Sequence, residues 1–225
     1  MPVADRFESV LASVADLCLL CLRGSAVDGI GVSVMGPTGA LSTLCTTDAT
    51  SAAIEELQFT LGVGPCLDAH ALGVPVLLDD LAGLESGLTE RWPGFAQAVA
   101  STGAGALFAL PLRMGAIGLG AMDLYRKAAG PLSAPELAAA LVAVDAVGLV
   151  VLGLHVPESG SMAGSGRAFR MEVHQAAGMV MEQMGLTIDS ALLVLRSTAY
   201  IRAVPVDEVA GDVVAGRLRF PAEEK

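Results

Sequence analysis

Ten residues, Pro157-Glu158-Ser159-Gly160-Ser161-Met162-Ala163-Gly164-Ser165-Gly166, constrain this chain more than any other stretch. Small, flexible residues dominate the run, and Met162 is its one large apolar side chain. Such a segment has too little to bury to hold a fixed fold, so residues 156–166 are predicted to be a flexible linker. The chain on either side must then form separate units. Residues 5–155 are long enough for a core of their own. Residues 167–225 number fewer than sixty, a marginal domain expected to lean on a partner chain or a preceding helix.

Three helices are legible in the shorter unit. Phe169, Val173, Ala176, Val180 and Met184 recur at intervals of three and four and make one apolar stripe. Gly185 suits the left-handed position past a helix end, and Thr187 is a good N-cap for the next helix. There Ile188, Ala191, Leu192, Leu195 and Ala199 share a face. Pro205 can open a third helix, whose inner side is Val206, Val209, Ala210 and Val213 and whose stop is Gly216.

The longer unit alternates differently. Residues 4–22 read as an amphipathic helix. Strands follow at 30–35 and 40–46 across a turn at 36–39, then a short helix at 52–57. Two glycines and a proline predict a loop over 62–66. A short strand is expected at 74–78, a helix at 91–101, strands at 105–112 and 117–125, and a helix at 133–155 with Ser133 and Glu136 as its capping box. Hairpin strands with flanking helices imply an α+β fold, an antiparallel sheet with helices packed on it. The helix at 133–155 is apolar around most of its circumference, which requires burial on several sides. The sheet can cover one side, and the same helix of a second chain another, so a homodimer is expected.

No signal peptide is expected in this stretch, because Asp5, Arg6 and Glu8 precede the first apolar run. The most membrane-like window, 138–154, is short for a span and contains Asp145. A cytoplasmic protein with no membrane partner is therefore expected, and its four cysteines, Cys18, Cys21, Cys45 and Cys66, sit in a reducing compartment. The net charge of −11 argues against generic nucleic-acid affinity, which depends on neutralising phosphates. The acidity is uneven: residues 1–166 carry 6 Lys/Arg against 16 Asp/Glu, and residues 167–225 carry 7 against 8. Any nucleic-acid binding belongs to the second unit and should be selective and salt-sensitive.

Candidate chemistry is sparse. Cys18 and Cys21 form a CxxC inside an apolar helix, where neutral thiols pack as small hydrophobes. Cys66 beside Gly64-Pro65 is the thiol with most chance of exposure. Asp68, Asp79 and Asp80 could line a pocket mouth or a cation site; the plainer reading is that they solvate loops and cap helices. No phosphate loop, dinucleotide fingerprint, zincin or nucleophile elbow occurs. No catalytic residue, metal site or cofactor is expected, and the chain does not read as an enzyme.

Gln175-Ala176-Ala177-Gly178-Met179-Val180-Met181, Ala191 with Leu195-Arg196, and Val209-Ala210 occur in the order and spacing of the ANTAR domain, which this unit resembles. It departs at Ala177, where many members carry Lys. The first unit resembles the GAF domain through Gly64-Pro65-Cys66-Leu67-Asp68-Ala69, Pro111-Leu112 and the run from Ile117 to Tyr125. The resemblances imply a GAF domain (5–155) receiving an unknown small-molecule or protein signal, and an all-α three-helix ANTAR domain (167–225). The latter would bind RNA, as paired stem-loops in nascent transcripts, and cause antitermination. Candidate RNA contacts are Arg170, His174, Gln175, Arg196, Ser197, Tyr200 and Arg202; candidate GAF ligand contacts are Cys66, Asp68 and Asp80. Arg196 and Tyr200 stand four apart on one helix flank, so a guanidinium and a ring can address an unpaired base together. Two alternatives follow from the same residues. Some GAF domains are thiol enzymes reducing free methionine sulfoxide, which would require Cys45 and Cys66 to meet. The charge and Ala177 also fit a protein-binding regulator without RNA affinity.

Overall fold

The structure is a computed structural model that describes residues 3–36, 41–83, 90–155, 171–202 and 204–220. The chain forms two compact units that divide between Gly166 and Arg167. The predicted linker lies outside the described residues.

In the N-terminal unit the elements run α1 (Val3–Gly24), β1 (Gly29–Met35), β2 (Leu41–Thr46), α2 (Ala49–Leu61), α3 (Pro65–Leu72), β3 (Val76–Leu78), α4 (Phe95–Ala100), β4 (Ala106–Met114), β5 (Ile117–Arg126) and α5 (Ala134–His155). The strands form one antiparallel sheet in the order β2-β1-β5-β4-β3. This is the α+β arrangement anticipated from the sequence.

Because successive strand residues point to opposite faces, the sheet has two different sides. Ile30 and Val32 of β1, Phe108 and Leu110 of β4, and Met122 and Leu124 of β5 face one core, closed by Val14 and Cys18 of α1 and Val144, Val147 and Val151 of α5. The intervening residues, Gly31, Ser33, Asp123 and Tyr125, face α2 and its N-cap. Among the described residues α5 is long and apolar enough to cross a membrane, and 22% of that window, Ala134–Leu152, is buried; Val144, Val147 and Val151 form its one inner face. Leu141, Val142 and Leu149 stay exposed on it, Val142 at 70%.

Of the local boundaries that differ from expectation, three have a readable reason. α2 starts earlier, because Asp48 is its N-cap and accepts from Ser51 N at 2.7 Å in a capping box. The predicted loop at 62–66 ends at Gly64: Pro65 opens α3, where its missing N–H costs nothing, so Cys66 is helical and 1% exposed. α4 begins at Phe95 because Gly94, at φ 80, interrupts the approach.

In the C-terminal unit α6 (Met171–Met184), α7 (Ile188–Arg202) and α8 (Val206–Val214) pack on one another. Val173, Ala176, Ala177 and Val180 of α6, Ala191, Leu192, Leu195 and Ala199 of α7, and Val206, Val209, Ala210 and Val213 of α8 are buried. Gly185 takes φ 64 after α6, and Thr187 Oγ1 accepts from Ser190 N at 3.3 Å to cap α7. Phe169 lies outside the described residues.

Candidate nucleic-acid interface and a buried acid cluster

The outward face of α7 follows from its inward one. With Ala191, Leu192, Leu195 and Ala199 turned to the bundle, Leu193, Ser197, Tyr200 and Ile201 recur at spacings of four, three and one on the opposite side. All four are exposed. Tyr200 is 72% and Ile201 82% accessible, so an aromatic ring and an aliphatic side chain stand in water with nothing to cover them within this unit. Arg196 is half-buried at the border of this face, its Nε enclosed, one turn from Tyr200.

At the end of α7, Arg202 Nη1 lies 3.5 Å from Asp212 Oδ2. Arg217 Nε reaches the same carboxylate at 2.8 Å. Asp212 thus pairs with two guanidiniums at once. Arg217 was not among the sequence candidates, since its link to Arg202 passes through a third helix. On α6, Gln175 is exposed and His174 half-buried. Arg170 lies outside the described residues.

The N-terminal unit holds a different kind of site. Glu55 and Gln58 stand three apart on α2 and so share a face. Both turn onto the sheet, where Gln58 Nε2 donates to Asp123 Oδ2 of β5 and Ser33 Oγ of β1 donates to Glu55 Oε2. Gln58 Oε1 in turn accepts from the backbone N–H of Cys66 at 2.8 Å. Glu55, Cys66 and Asp123 thereby come together with their donor atoms all within 4.8 Å of one another, each residue no more than 3% exposed. Gly31 makes the space: a Cβ there would lie 2.2 Å from Glu55 Oε1. Burial pushes the Asp123 carboxyl up to about 7, against the lowering effect of Gln58 and Glu55 beside it. Burial also holds the Cys66 thiol well above its usual value, and the two neighbouring carboxyls add to that. A narrow cleft lined by Gly31, Ser51, Ile54, Leu107, Asp123 and Tyr125 adjoins the cluster. Sequence reasoning missed Glu55, Gln58 and Asp123; the one available signal was a lone carboxylate inside the apolar run of β5.

A family model described as the ANTAR domain matches residues 167–214. Residues 167–214 are an ANTAR domain. The N-terminal unit is similar to the GAF domain region of a putative membrane protein from Geobacter sulfurreducens PCA, at 13% identity and a TM-score of 0.54, over 66% of this chain and 96% of that one. It is also similar to a type II free methionine-R-sulfoxide reductase from Thermoplasma acidophilum, at 14% identity and a TM-score of 0.50, over 66% of this chain and 96% of that one. At such identities the likeness is one of fold: the N-terminal unit has the GAF fold. No curated protein matches the chain.

The chain therefore joins a GAF-fold domain to an ANTAR domain. Within the ANTAR domain Ala177 is fully buried, so the departure from the family pattern falls inside the bundle. In the GAF-fold domain the three candidate ligand contacts have separate partners. Cys66 belongs to the acid cluster. Asp68 Oδ2 accepts from Arg91 Nε at 2.7 Å and Trp92 Nε1 at 3.1 Å, with the Arg91 guanidinium 4.8 Å over the Trp92 ring. Asp80 Oδ1 accepts from the N–H groups of Ala82 and Gly83 at 3.1 and 3.0 Å and so shapes its own loop. Cys45 and Cys66 lie on opposite faces of the sheet. Cys45 packs with Cys18 and Cys21 against the α1–α5 core, where a hydrogen bond from Cys18 lowers its pKa. The meeting of thiols that the reductase reading required does not occur.

Proposed function

We propose that this chain is a signal-responsive transcriptional regulator whose ANTAR domain binds structured RNA loops and causes antitermination. The GAF-fold domain would take the input, and the protein would work in the cytoplasm. The observation that carries the reading is the exposed flank of α7 in a domain of this family. Tyr200 offers a ring to an unpaired base, Arg196 a guanidinium one turn away, and Ser197 a hydroxyl between them. His174, Gln175 and Arg202 add polar or cationic reach, and Arg170 belongs to the same proposal. Looped RNA suits such a surface better than duplex, whose deep major groove excludes side chains. The test is titration of fluorescent hairpins with paired loops against a fully duplex control of equal length. The hairpins should bind at least tenfold more tightly, with affinity falling as salt rises. Equal affinity for both RNAs, or none for either, refutes the reading.

A homodimer completes it. The outer side of α5 leaves Leu141, Val142 and Leu149 in water, and α1 beside it exposes Leu19 and Leu20, the latter at 62%. Two such faces would cover each other, and two ANTAR domains would then engage two loops on one transcript with gain from proximity. Sedimentation at micromolar concentration should give a dimer that Val142→Glu converts to monomer; a monomeric native chain refutes this part alone.

A further inference from the structure

Glu55, Cys66 and Asp123 put three acids face to face, all buried, on the side of the sheet that α2 covers. Ionised groups in such surroundings persist when paired, or when they coordinate a metal. Asp123 Oδ1 is fully buried with no N–H or hydroxyl donor on it, Oδ2 is taken by Gln58, and the Glu55 carboxyl beside it can hydrogen-bond to Asp123 only by holding a proton between the two. A proton shared by the two carboxyls would satisfy their oxygens but would leave the Cys66 thiol idle beside them. A divalent cation uses all three.

We propose that Glu55, Cys66 and Asp123 form a metal site for a borderline divalent transition ion, Zn²⁺ or Fe²⁺, with its fourth position open. One thiolate and two carboxylates suit such ions, where an all-oxygen set would suit magnesium or calcium. Metal–ligand bonds of about 2.0–2.3 Å require only a small closure of donors already within 4.8 Å of one another. The outer layer is also in place. Gln58 fixes Asp123 through its Nε2 and the Cys66 backbone through its Oε1, and Ser33 fixes Glu55. Metal-site ligands depend on such second partners for their orientation. The three ligands come from α2, α3 and β5, so occupancy would tie both helices to the strand. Three protein ligands leave one position for water or a small exchanging ligand, which is the arrangement of a site that reacts or reads. Binding releases the thiol proton, and any proton held between the carboxyls, to the buffer. The site is independent of the RNA-binding reading, and failure of either leaves the other standing.

The experiment is titration of the chelator-stripped full chain with Co²⁺, followed by the thiolate-to-cobalt charge-transfer absorption. One ion per chain should bind, giving a band that added Zn²⁺ abolishes. Cys66→Ser should lose the band, whereas Cys18→Ser and Cys45→Ser keep it. Gln58→Ala should weaken uptake by about 10–100-fold, as loss of an orienting partner does. Asp123→Asn, which preserves size, must weaken uptake at least tenfold and decides the matter should Cys66→Ser fail to fold. Absence of stoichiometric uptake by the native chain overturns the proposal, as does a band that survives Cys66→Ser or uptake unchanged in Asp123→Asn.

Discussion

Tyr200→Ala is expected to weaken hairpin binding by roughly 5- to 150-fold while leaving the stability of the ANTAR domain unchanged. The factor corresponds to the loss of one stacked base, about 1–3 kcal/mol. The side chain is 72% exposed, so its removal takes away little packing, and any loss of affinity is a loss of contact with RNA. Arg196 is a less clean probe: it is half-buried with Nε enclosed, and truncating it disturbs the bundle as well as the surface. Arg217→Ala gives the electrostatic counterpart. It would remove one of the two guanidiniums on Asp212, lower affinity for all hairpins by a similar factor, and reduce the slope of log affinity against log salt by about 1. Equilibrium titration of each variant at three salt concentrations separates the two effects. Unchanged binding by Tyr200→Ala removes the α7 flank from the interface.

The difference between α7 and the acid cluster shows what a sequence reveals and what it withholds. In the ANTAR domain the apolar stripes repeat every three to four residues, so Val173, Ala176 and Val180, or Ala191, Leu192 and Leu195, identify their own inner faces. The outer face follows by subtraction, and Tyr200 was legible on it. The cluster follows no period. Gln58 and Asp123 are 65 residues apart, and Ser33 and Glu55 are 22 apart. Read alone, Glu55 and Gln58 are two polar positions on a short helix, normally the solvent side. They are buried because the second face of the sheet presents Gly31, Ser33 and Asp123 in place of aliphatic residues, and only the pairing of β1 with β5 sets these side by side. Cys66 was misplaced for a nearer reason. Gly-x-Gly-Pro predicts a break in the chain, although proline in a first turn starts a helix as readily as it ends one.

The largest stability effect should come from Gly120→Ala in β5. Gly120 stands opposite Val34 of β1, and a Cβ there would lie 2.0 Å from the Ser33 carbonyl oxygen and 2.7 Å from Val34 Cα. Both are backbone atoms of a strand held on its other side by β2, so no rotamer change relieves the clash. The two central strands must separate or shift, at a cost of about 3 kcal/mol or more, the upper range for overpacking. For a domain of this size that lowers Tm by about 6–12 °C. Gly148→Ala in α5 is the matched control. Its added methyl would meet Met114 Sδ at 3.6 Å, an ordinary contact with a flexible side chain, and alanine favours helix by about 1 kcal/mol over glycine. That variant should melt at or above the native temperature. Calorimetry of the two variants distinguishes a general intolerance of the fold from a clash at one strand crossing, since only the second lets Gly148→Ala pass. The shift at Gly120 should also reach the acid cluster, because Ser33, whose carbonyl would be struck, donates to Glu55 through its hydroxyl, and Asp123 follows three residues along β5. Gly120→Ala should therefore lose Co²⁺ uptake at temperatures where its domain is still folded, whereas Gly148→Ala keeps it.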